Sequence, residues 1–456
     1  MESMQRPGST KASLGALKML SDDLLLAVFE RVPLLDRHRT LALVCRHWAE
    51  LVHAPQLLTS LDVRMEEWQT GAAAGRHILR RLRPLCDWMV HRAGYHVQRL
   101  QLQLSAPHYR MEGSMAVECA ALCVAAVTAC SSVADLQLDL GCMALPLSSW
   151  LRPLAGSLRH LSYSCHVRSA VEVTGSLTYL TALQALELAE RCDGITFHPG
   201  AQLPASLTCL FLNLYTHEPD DQHSVPHQLA SLTRLRQLTL QFPQCGRNGY
   251  APLRHLTTLT RLMLEVEVHA LPSCLSRLKL LRDLRIYSWN EGMPAHEAAA
   301  LAPSLPSLQQ LTRLDVYMDH EVPTTALTAL TNLHTMRWES HTVSAGAALP
   351  PGAWVRGLRT LLLTAQLVAA SLPALSAAEQ LERLGTVDRT SADQLLLPGI
   401  IAFAAERPRL RLLVLLHTEL RAHASDAAQQ VQRRRADLQI VVGSETGMDL
   451  LFDGDA

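Results

Sequence analysis

The sequence is poor in aromatic residues and almost free of net charge, and both shortages limit what the protein can be. Aromatic residues make up 5% of the 456 residues, and the formal net charge is −1. Without a basic excess, the chain creates no field that would draw it to nucleic acid or to anionic lipid. We therefore expect no nucleic-acid partner and no membrane partner, and a core built mainly from leucine and alanine.

The signatures of enzymes and metal sites are missing as well. No phosphate-binding loop, Gly-x-Ser-x-Gly or His-Glu-x-x-His sequence occurs, and none of the 11 cysteines belongs to a Cys-x-x-Cys pair. Cys119 and Cys123 share a helical segment, but two thiols are an incomplete zinc site, so buried apolar cysteines are the preferred interpretation. The histidines and acids between His217 and His227 are interpreted as a polar loop. We predict a protein without catalytic residues, metal or cofactor.

Long apolar runs are also absent. The stretch from Ala120 to Ala129 is among the longest nearly apolar segments, and it is too short to span a bilayer. Residues Met1 to Met4 include an acid and lack the apolar core of a secretion signal. Scattered thiols without a disulfide framework suit a reducing compartment. These observations predict a soluble intracellular protein, in the cytoplasm, the nucleus or both.

What the sequence has in abundance is the sextet Leu-x-x-Leu-x-Leu. Clear copies begin at Leu235, Leu259 and Leu358, and further copies recur from Val97 to Leu438. Alternate residues of a strand point to opposite faces, so the last two leucines of each sextet share one face. One short strand cannot bury that face alone. Copies at a nearly regular period therefore predict stacked strands that share one core.

A second sequence pattern recurs between the sextets. Val225 to Leu232 and Leu271 to Leu278 each contain a proline near the start, followed by leucines three residues apart. Proline is tolerated at a helix start, so this pattern predicts short helices behind the strands. Residues 97–442 thus resemble the leucine-rich repeat family. The resemblance implies an α/β fold, a curved solenoid with parallel β-strands on the concave face and short helices and loops on the convex face. The asparagine that the family often places after the sextet is absent, which predicts an irregular solenoid with variable loops.

The residues before the repeats have a different pattern. Asp22 and Asp23 open a helical segment after Ser21, and a second segment carries Val44-Cys45-Arg46-His-Trp48. This order of residues resembles an F-box, with Ser21 where the family usually has proline. The resemblance implies binding to a Skp-type adaptor and, through it, to a cullin. The residues implied for the adaptor contact are Leu20, Leu24, Leu25, Val28, Phe29, Val44, Cys45 and Trp48. The alternative interpretation is a local helical core or a cap on the repeats.

These patterns divide the chain into five predicted parts. A helix near 72–93 is interpreted as a cap, because the first repeat of a solenoid has an open apolar end. The last residues are acidic and are predicted to form a tail. The predicted parts are a disordered tail at 1–16, an F-box at 17–57, a linker and N-terminal capping helix at 58–96, the solenoid at 97–442 and an acidic tail at 443–456.

The residues that alternate with the leucines are the candidates for target binding. They are predicted to face the concave side of the solenoid, and tyrosine and arginine are enriched among binding hot spots. The predicted target-binding residues are Phe211, Met263, Arg285, Tyr287, Asp315, Tyr317, Arg337 and Glu339. In the last repeats the same register carries leucine and valine, which we expect the C-terminal segment to cover. These apolar residues are Leu362, Leu412, Val414 and Leu416.

Taken together, the patterns predict a substrate-recognition subunit of a Skp–cullin–F-box type ubiquitin ligase. The F-box would bind the adaptor, the repeats would bind an unidentified target protein, and other subunits would transfer ubiquitin. One alternative is a leucine-rich repeat scaffold for protein interactions without a ligase role. Another, from a different class, is a regulator that supplies Arg285 or Arg337 to the active site of a GTPase.

Overall fold

The chain folds as two compact units. In the computed structural model the first unit comprises Met1–Val167 with Tyr179–Leu183, and the second comprises Arg168–Thr178 with Gln184–Ala456. The predicted tail at 1–16 and the residues His217 and His223 lie outside the described part of the chain. The described residues are 20–32, 34–65, 72–104, 113–141, 145, 147–165, 171–173, 175–190, 195–198, 200–213, 227–242, 250–266, 273–288, 301–318, 324–340, 347–387, 396–416, 422–442 and 451–452.

The first unit begins with a small helical module. Ser21 is extended and precedes the first helix, although its hydroxyl makes no capping hydrogen bond. Asp22 and Asp23 occupy the first turn, where carboxylates interact favourably with the helix dipole. The elements of the module are α1 (Asp22–Glu30), α2 (Leu34–Arg39), a 3₁₀ turn (Leu41–Leu43), α3 (Arg46–Leu51) and α4 (Pro55–Leu58).

Four parallel strands follow in the described part of the first unit, separated mainly by helices. Leu61, Leu100, Leu136 and Leu161 are successive partners across these strands, and all four are buried. The strands are β1 (Ser60–Arg64), β2 (Arg99–Gln103), β3 (Asp135–Asp139) and β4 (His160–Cys165). The helices are α5 (Ala72–Trp88), α6 (Gly113–Ala129) and α7 (Leu147–Trp150), with a π turn at Met89–Ala93 and 3₁₀ turns at Gly94–His96 and Arg152–Leu154.

The sheet begins one strand earlier than the sequence pattern at Val97 predicts. Strand β1 pairs with β2 over its whole length. Leu58, Leu61 and Val63 repeat the sextet spacing, with valine in place of the last leucine. Helix α5 connects these two strands and packs against α6, so its position is that of a repeat helix.

Four cysteines of the first unit, Cys86, Cys119, Cys123 and Cys130, are buried in or next to its helices. Cys119 and Cys123 are fully buried in α6, which confirms their interpretation as core residues. Burial raises the pKa of the Cys86 thiol to about 12 and that of Cys130 to about 12, with a smaller effect from neighbouring groups. These thiols are therefore neutral at physiological pH. Within the described ranges, no group of histidine, cysteine and acidic side chains is arranged to hold a metal ion.

The second unit contains eleven strands of parallel sheet, counted over its described residues. They are β6 (Ala185–Glu190), β8 (Cys209–Asn213), β9 (Gln237–Phe242), β10 (Arg261–Val266), β11 (Asp283–Ser288), β12 (Arg313–Met318), β13 (Thr335–Ser340), β14 (Thr360–Thr364), β15 (Arg383–Val387), β16 (Leu412–Leu416) and β17 (Gln439–Val442). Two short strands, β5 (Val171–Val173) and β7 (Ile195–Phe197), pair separately.

Short helices connect the strands of the second unit, and successive helices contact one another. The earlier ones are 3₁₀ turns at His227–Ser231, Ala251–His255, Ser273–Arg277, Leu305–Ser307 and Thr324–Ala329. The later ones are α8 (Ala353–Arg356), α9 (Ala365–Leu375), α10 (Leu397–Glu406) and α11 (Ala422–Arg434). None of the helices in the described ranges is both long and apolar enough to cross a membrane. The unequal connections agree with the predicted irregularity of the repeats.

The core of the second unit is a row of stacked leucines, as the sextet predicts. Leu238, Leu262, Leu284 and Leu314 are successive partners in neighbouring strands, and each is at most 1% exposed. The predicted fold, an α/β solenoid of parallel strands, is confirmed. The residues between these leucines point away from the core. We call the side of the second unit's sheet that they form the far face.

Neighbouring leucines of opposite exposure provide a test of the stacked core. Leu281 is fully buried, whereas Leu280 is 44% exposed. We expect Leu281→Ala to lower the free energy of unfolding by about 2–5 kcal/mol, because it leaves a cavity. The matched control Leu280→Ala is expected to change it by less than about 0.5 kcal/mol. Urea unfolding followed by circular dichroism measures both, and equal transition midpoints for the two variants would contradict the assignment of Leu281 to the core.

Candidate functional site

The N-terminal module presents two different faces of helix α1. Leu25 and Phe29 lie one turn apart and are 3% and 1% exposed, in a cluster with Val52 and Leu57. Leu24 and Val28, also one turn apart, are more than half exposed. One face of the helix therefore holds the module together, and the neighbouring face leaves apolar side chains in solvent.

Aromatic packing fixes helix α3 against helix α1. The rings of Phe29 and Trp48 meet edge to face, with centroids 5.0 Å apart. Leu20 and Trp48 are partly buried against the same cluster. His47 Nε2 lies 2.8 Å from Asp22 Oδ1, which joins the starts of the two helices. The position of α3 relative to α1 is thus determined by one apolar and one polar contact.

The turn before helix α3 carries the second group of exposed apolar residues. Leu43 is 81% exposed and Val44 is 47% exposed, and Cys45 is exposed beside them. The backbone N–H of Trp48 donates to Cys45 Sγ at 3.5 Å, so the thiol serves as the N-cap of α3. Leu43 was not among the residues predicted from the sequence, although its place beside Val44 is a signal that could have included it.

Exposed apolar side chains are concentrated in this module. In the part of the chain that the structure describes, eight large apolar residues are exposed, and Leu24, Val28, Leu43 and Val44 are four of them. The other four are spread over the rest of the chain, at Tyr95, Val117, Leu280 and Val442. Single exposed apolar residues are ordinary, whereas a group of them indicates an interaction surface.

The module is anchored to the repeats of the first unit. The His38 ring lies 5.1 Å from the Trp88 ring of α5, edge to face, and 4.9 Å from the ring of His53. Arg37 is buried and donates from Nη1 to the carbonyl of Leu57 at 3.1 Å. Since α4 also leads directly into β1, the module is continuous with the first strand of the sheet.

In the second unit, the predicted target-binding residues lie in two rows along the far face. Phe211, Thr239, Met263, Arg285, Asp315 and Arg337 are successive strand partners and form the first row. Tyr287, Tyr317 and Glu339 are successive partners in the second row. With strands about 4.8 Å apart, the first row extends over roughly 24 Å. Phe211 and Met263 lie at one end of it, apart from the charged residues.

Four of these residues form one charged network. Tyr287 Oη donates to Asp315 Oδ2 at 2.7 Å. Arg337 Nε donates to Glu339 Oε1 at 2.6 Å and lies 3.6 Å from Asp315 Oδ1. The Arg337 guanidinium also lies 5.9 Å from the centroid of the Tyr287 ring. Side chains from three strands, β11 to β13, are thereby held in fixed positions.

Burial sets the electrostatics of this network. Asp315 and Glu339 are each 3% exposed, and a buried carboxylate is costly unless it is paired. Burial raises the pKa of Asp315, against the opposing effects of Arg337 and the Tyr287 hydroxyl. For Arg337, burial lowers the pKa, but the charges of Glu339 and Asp315 together outweigh it and the net pKa is raised. Arg337 therefore stays charged, and Glu339 is its closer partner.

The two arginines considered for GTPase stimulation are both paired with carboxylates. Arg285 donates from Nε and Nη2 to the two oxygens of Asp283, at 3.1 and 3.0 Å. Arg337 is held by Glu339, as above. An arginine supplied in trans must be free to reach a phosphate. This arrangement does not favour that hypothesis.

The apolar end of the far face is covered, as the sequence predicts. Leu362 and Val414 are fully buried and Leu412 is 8% exposed, in one cluster with Leu451 from the C-terminal segment. Leu416 and Phe452 pack against this cluster. The prediction that the C-terminal segment covers these residues is confirmed.

Comparison with known families identifies the N-terminal module. Residues 17–60 match the F-box domain. This chain contains an F-box domain, followed by a sheet of stacked parallel strands. The match ends at the first residue of β1, so the F-box passes into the sheet without a separate linker.

The solved structures that are similar to this chain have low sequence identity to it. A leucine-rich repeat protein of Leptospira interrogans is 14% identical, with 78% of this chain and 98% of that chain covered and a TM-score of 0.34. Internalin C2 of Listeria monocytogenes is 15% identical, with coverage of 58% and 83% and a TM-score of 0.28. The Drosophila Toll–Spatzle complex contains a chain that is 14% identical, with coverage of 65% and 38% and a TM-score of 0.40. No curated protein matches the chain.

The residues predicted for adaptor contact occupy two environments in the F-box. Leu24, Val28, Val44 and Cys45 are exposed, so a partner can touch them directly. Leu25 and Phe29 are buried, and Leu20 and Trp48 pack against them. The first group forms a candidate contact surface, and the second group supports it from beneath.

The burial of His38 makes the stability of the F-box depend on pH. Burial, then the neighbouring His53 and Arg37, lower the pKa of His38 from 6.5 to about 4. The folded state therefore favours neutral His38, and its contribution is complete above pH 6.5 and is lost as the pH falls toward 4. We expect His38→Gln to reduce the loss of unfolding free energy between pH 7 and pH 5 by roughly 1 kcal/mol.

The comparison uses denaturant unfolding of the first unit at both pH values. His96→Gln changes an exposed histidine of the same unit and is the matched control for the substitution itself. An identical pH dependence in wild type and His38→Gln would show that His38 does not couple folding to protonation.

Proposed function

We propose that this protein is the substrate-recognition subunit of a Skp–cullin–F-box type ubiquitin ligase. The F-box binds a Skp-type adaptor and, through it, a cullin, and the repeats bind the target protein. The observation that carries the proposal is the exposure of Leu24, Val28, Leu43 and Val44 on a module that has a buried core of its own. The F-box match at residues 17–60 supplies the identity of the partner.

The exposed residues would contribute part of the free energy of an adaptor contact. Full burial of a leucine or valine side chain contributes about 1.5–3 kcal/mol. Because these four residues are already partly buried, each would contribute on the order of 1 kcal/mol against an adaptor. The rigid packing of Phe29 on Trp48 holds them in place before binding, which lowers the entropy lost in the complex.

Target binding is assigned to the far face between β8 and β13. Its residues are Phe211, Met263, Arg285, Tyr287, Asp315, Tyr317, Arg337 and Glu339. Tyrosine and arginine held by neighbouring side chains suit an interaction hot spot. Asp315 Oδ1 is buried 3.6 Å from Arg337 Nε, which helps to hold that arginine in position.

The mechanism is one of proximity. The F-box is continuous through α4 with β1, the first strand of the sheet. A target held on the repeats is kept at a high effective concentration near the ubiquitin-loading subunits. The chain itself needs no catalytic group for this role.

The alternative is a leucine-rich repeat scaffold without a ligase role, in which the F-box helices only complete the fold. That hypothesis explains the buried residues Leu25 and Phe29. It gives no reason for exposing Leu24, Val28 and Leu43 on the same module. We therefore prefer the adaptor-binding function.

A binding measurement with a purified adaptor distinguishes the ligase function from the scaffold function. Aspartate at positions 24 and 28 (Leu24→Asp with Val28→Asp) places charge on the exposed face of α1 and leaves the buried face unchanged. We expect binding to a purified Skp-type adaptor to weaken at least tenfold, which corresponds to about 1.4 kcal/mol. Isothermal titration calorimetry with the full chain measures the affinity.

The matched control is Val117→Asp, at a residue that is 70% exposed in the first unit but outside the F-box. It is expected to bind the adaptor like wild type. Circular dichroism spectra and melting temperatures verify that both variants are folded. Equal adaptor affinity for wild type and the α1 variant, or no adaptor binding by wild type, would exclude the ligase function and favour the scaffold.

A further inference from the structure

The C-terminal residues Leu451 and Phe452 occupy the far face of the last repeats. Leu451 is fully buried, in a cluster with Leu362, Leu412 and Val414 from strands β14 and β16. These two residues belong to a short helical segment and lie outside the repeat pattern. They are therefore a separate element that rests on the sheet.

The site for Leu451 is created by a missing side chain. Gly385 lies at the far-face position of β15, between Leu362 and Val414 in the strand register. A Cβ atom at this position would approach Leu451 Cδ1 to 2.9 Å and Leu362 Cδ1 to 2.5 Å. Real Cβ atoms do not approach other atoms so closely, so the glycine leaves space that one leucine side chain fills.

Polar groups hold the backbone and the ring of the same segment. Arg383 Nη1 donates to the carbonyl of Leu451 at 2.9 Å. The guanidinium of Arg313 lies 5.2 Å from the centroid of the Phe452 ring, within the range of a cation–π contact. Arg313 Nε is buried and has no acceptor among the described residues. The site therefore combines a leucine pocket, an aromatic contact and an unfilled donor.

The charges of the segment and of its site are complementary. Residues 443–456 contain Glu445, Asp449, Asp453 and Asp455 and no lysine or arginine. The far face beneath Leu451 and Phe452 carries Arg313 and Arg383. The Leu-Phe pair fits the apolar cluster, and the acids of the segment have the opposite charge to Arg313 and Arg383.

We propose that the far face of β12 to β16 is a peptide-binding site for a Leu-Phe pair in an acidic segment, and that the chain's own C-terminal segment occupies it until a target of the same chemistry displaces it. The description of that partner as a degradation target rests on the proposed function. The peptide site itself does not. Recognition by the repeats would then be regulated by competition.

The C-terminal segment competes strongly with a free peptide because it is part of the same chain as the site. A segment tethered to its own site has an effective concentration of about 1 mM. If the free peptide binds the empty site with a dissociation constant of about 10 µM, the tethered segment weakens its apparent affinity roughly 100-fold. A target must therefore bind more tightly than the segment, or bind where the segment has been released.

The test uses the full chain and a fluorescent peptide of residues 443–456. Leu451→Asp combined with Phe452→Asp releases the segment from the apolar site. We expect this released variant to bind the peptide at least tenfold more tightly than wild type does, as measured by fluorescence anisotropy. A peptide carrying the same two aspartates is the negative probe and is expected not to bind.

A second substitution places the binding at the leucine pocket. Gly385→Ala in the released variant adds the Cβ that collides with the incoming leucine, and it is expected to weaken peptide binding at least tenfold. Gly399→Ala adds a Cβ where no atom lies within 4 Å, and it is the matched control. Equal affinity of the Gly385→Ala and Gly399→Ala forms would overturn the pocket assignment.

A measurement on wild type does not depend on the folding of any variant. Excess free peptide is expected to accelerate amide hydrogen exchange at the chain's own residues 451–452, because it displaces them. Unchanged exchange, together with no peptide binding by a folded released variant, would make the segment a fixed part of the fold and overturn the proposal. Adaptor titration of the released variant is run in parallel. Absence of adaptor binding in that titration would reject the ligase function and would leave the conclusion about peptide binding unchanged.

Discussion

The stacking of leucines between neighbouring parallel strands is the interaction on which the rest of the structure depends. A strand of five or six residues exposes its leucines unless another strand lies on each side of it. The register that pairs Leu262 with Leu238 on one side and Leu284 on the other buries all three at once. Each repeat is thus stabilised by its neighbours, and the connecting segments are free to vary.

The same register determines what the far face can contain. When the leucines align, the residues between them also align, so side chains from distant parts of the sequence become neighbours. Tyr287, Asp315 and Arg337 meet in this way, from three successive strands. An unpaired charge would be costly at these buried positions. The ion pairs between the side chains remove that cost, so charged residues can lie on this face. A surface built like this holds its side chains in position before any partner arrives.

The chain handles apolar surface differently at its two ends. The F-box has a complete core and still leaves Leu24 and Val28 in solvent, which a folded module has no reason to do for its own stability. Near the C-terminus, Leu362 and Val414 stand at far-face positions and are covered by Leu451. The exposed group is the one to which we assign a partner. The covered group already has one from its own chain.

The sequence by itself was sufficient for features that follow from periodicity and residue order. The sextet predicted the parallel sheet and the buried leucines, and the order from Leu20 to Trp48 identified the F-box. It also indicated that Leu362, Leu412 and Val414 needed a cover from the C-terminal segment, because leucine and valine at far-face positions are not left in water.

Only the tertiary structure decided how these residues are used. In the F-box, helix α1 has apolar residues on two faces, and the contact of Phe29 with Trp48 decides that Leu25 is buried and Leu24 is exposed. Strand β1 joined the sheet although its valine weakens the sextet, because β2 provides a partner. The pocket at Gly385 depends on Leu451, 66 residues further along the chain. Contacts between residues so far apart in the chain are set by packing, and no local pattern of residue types records them.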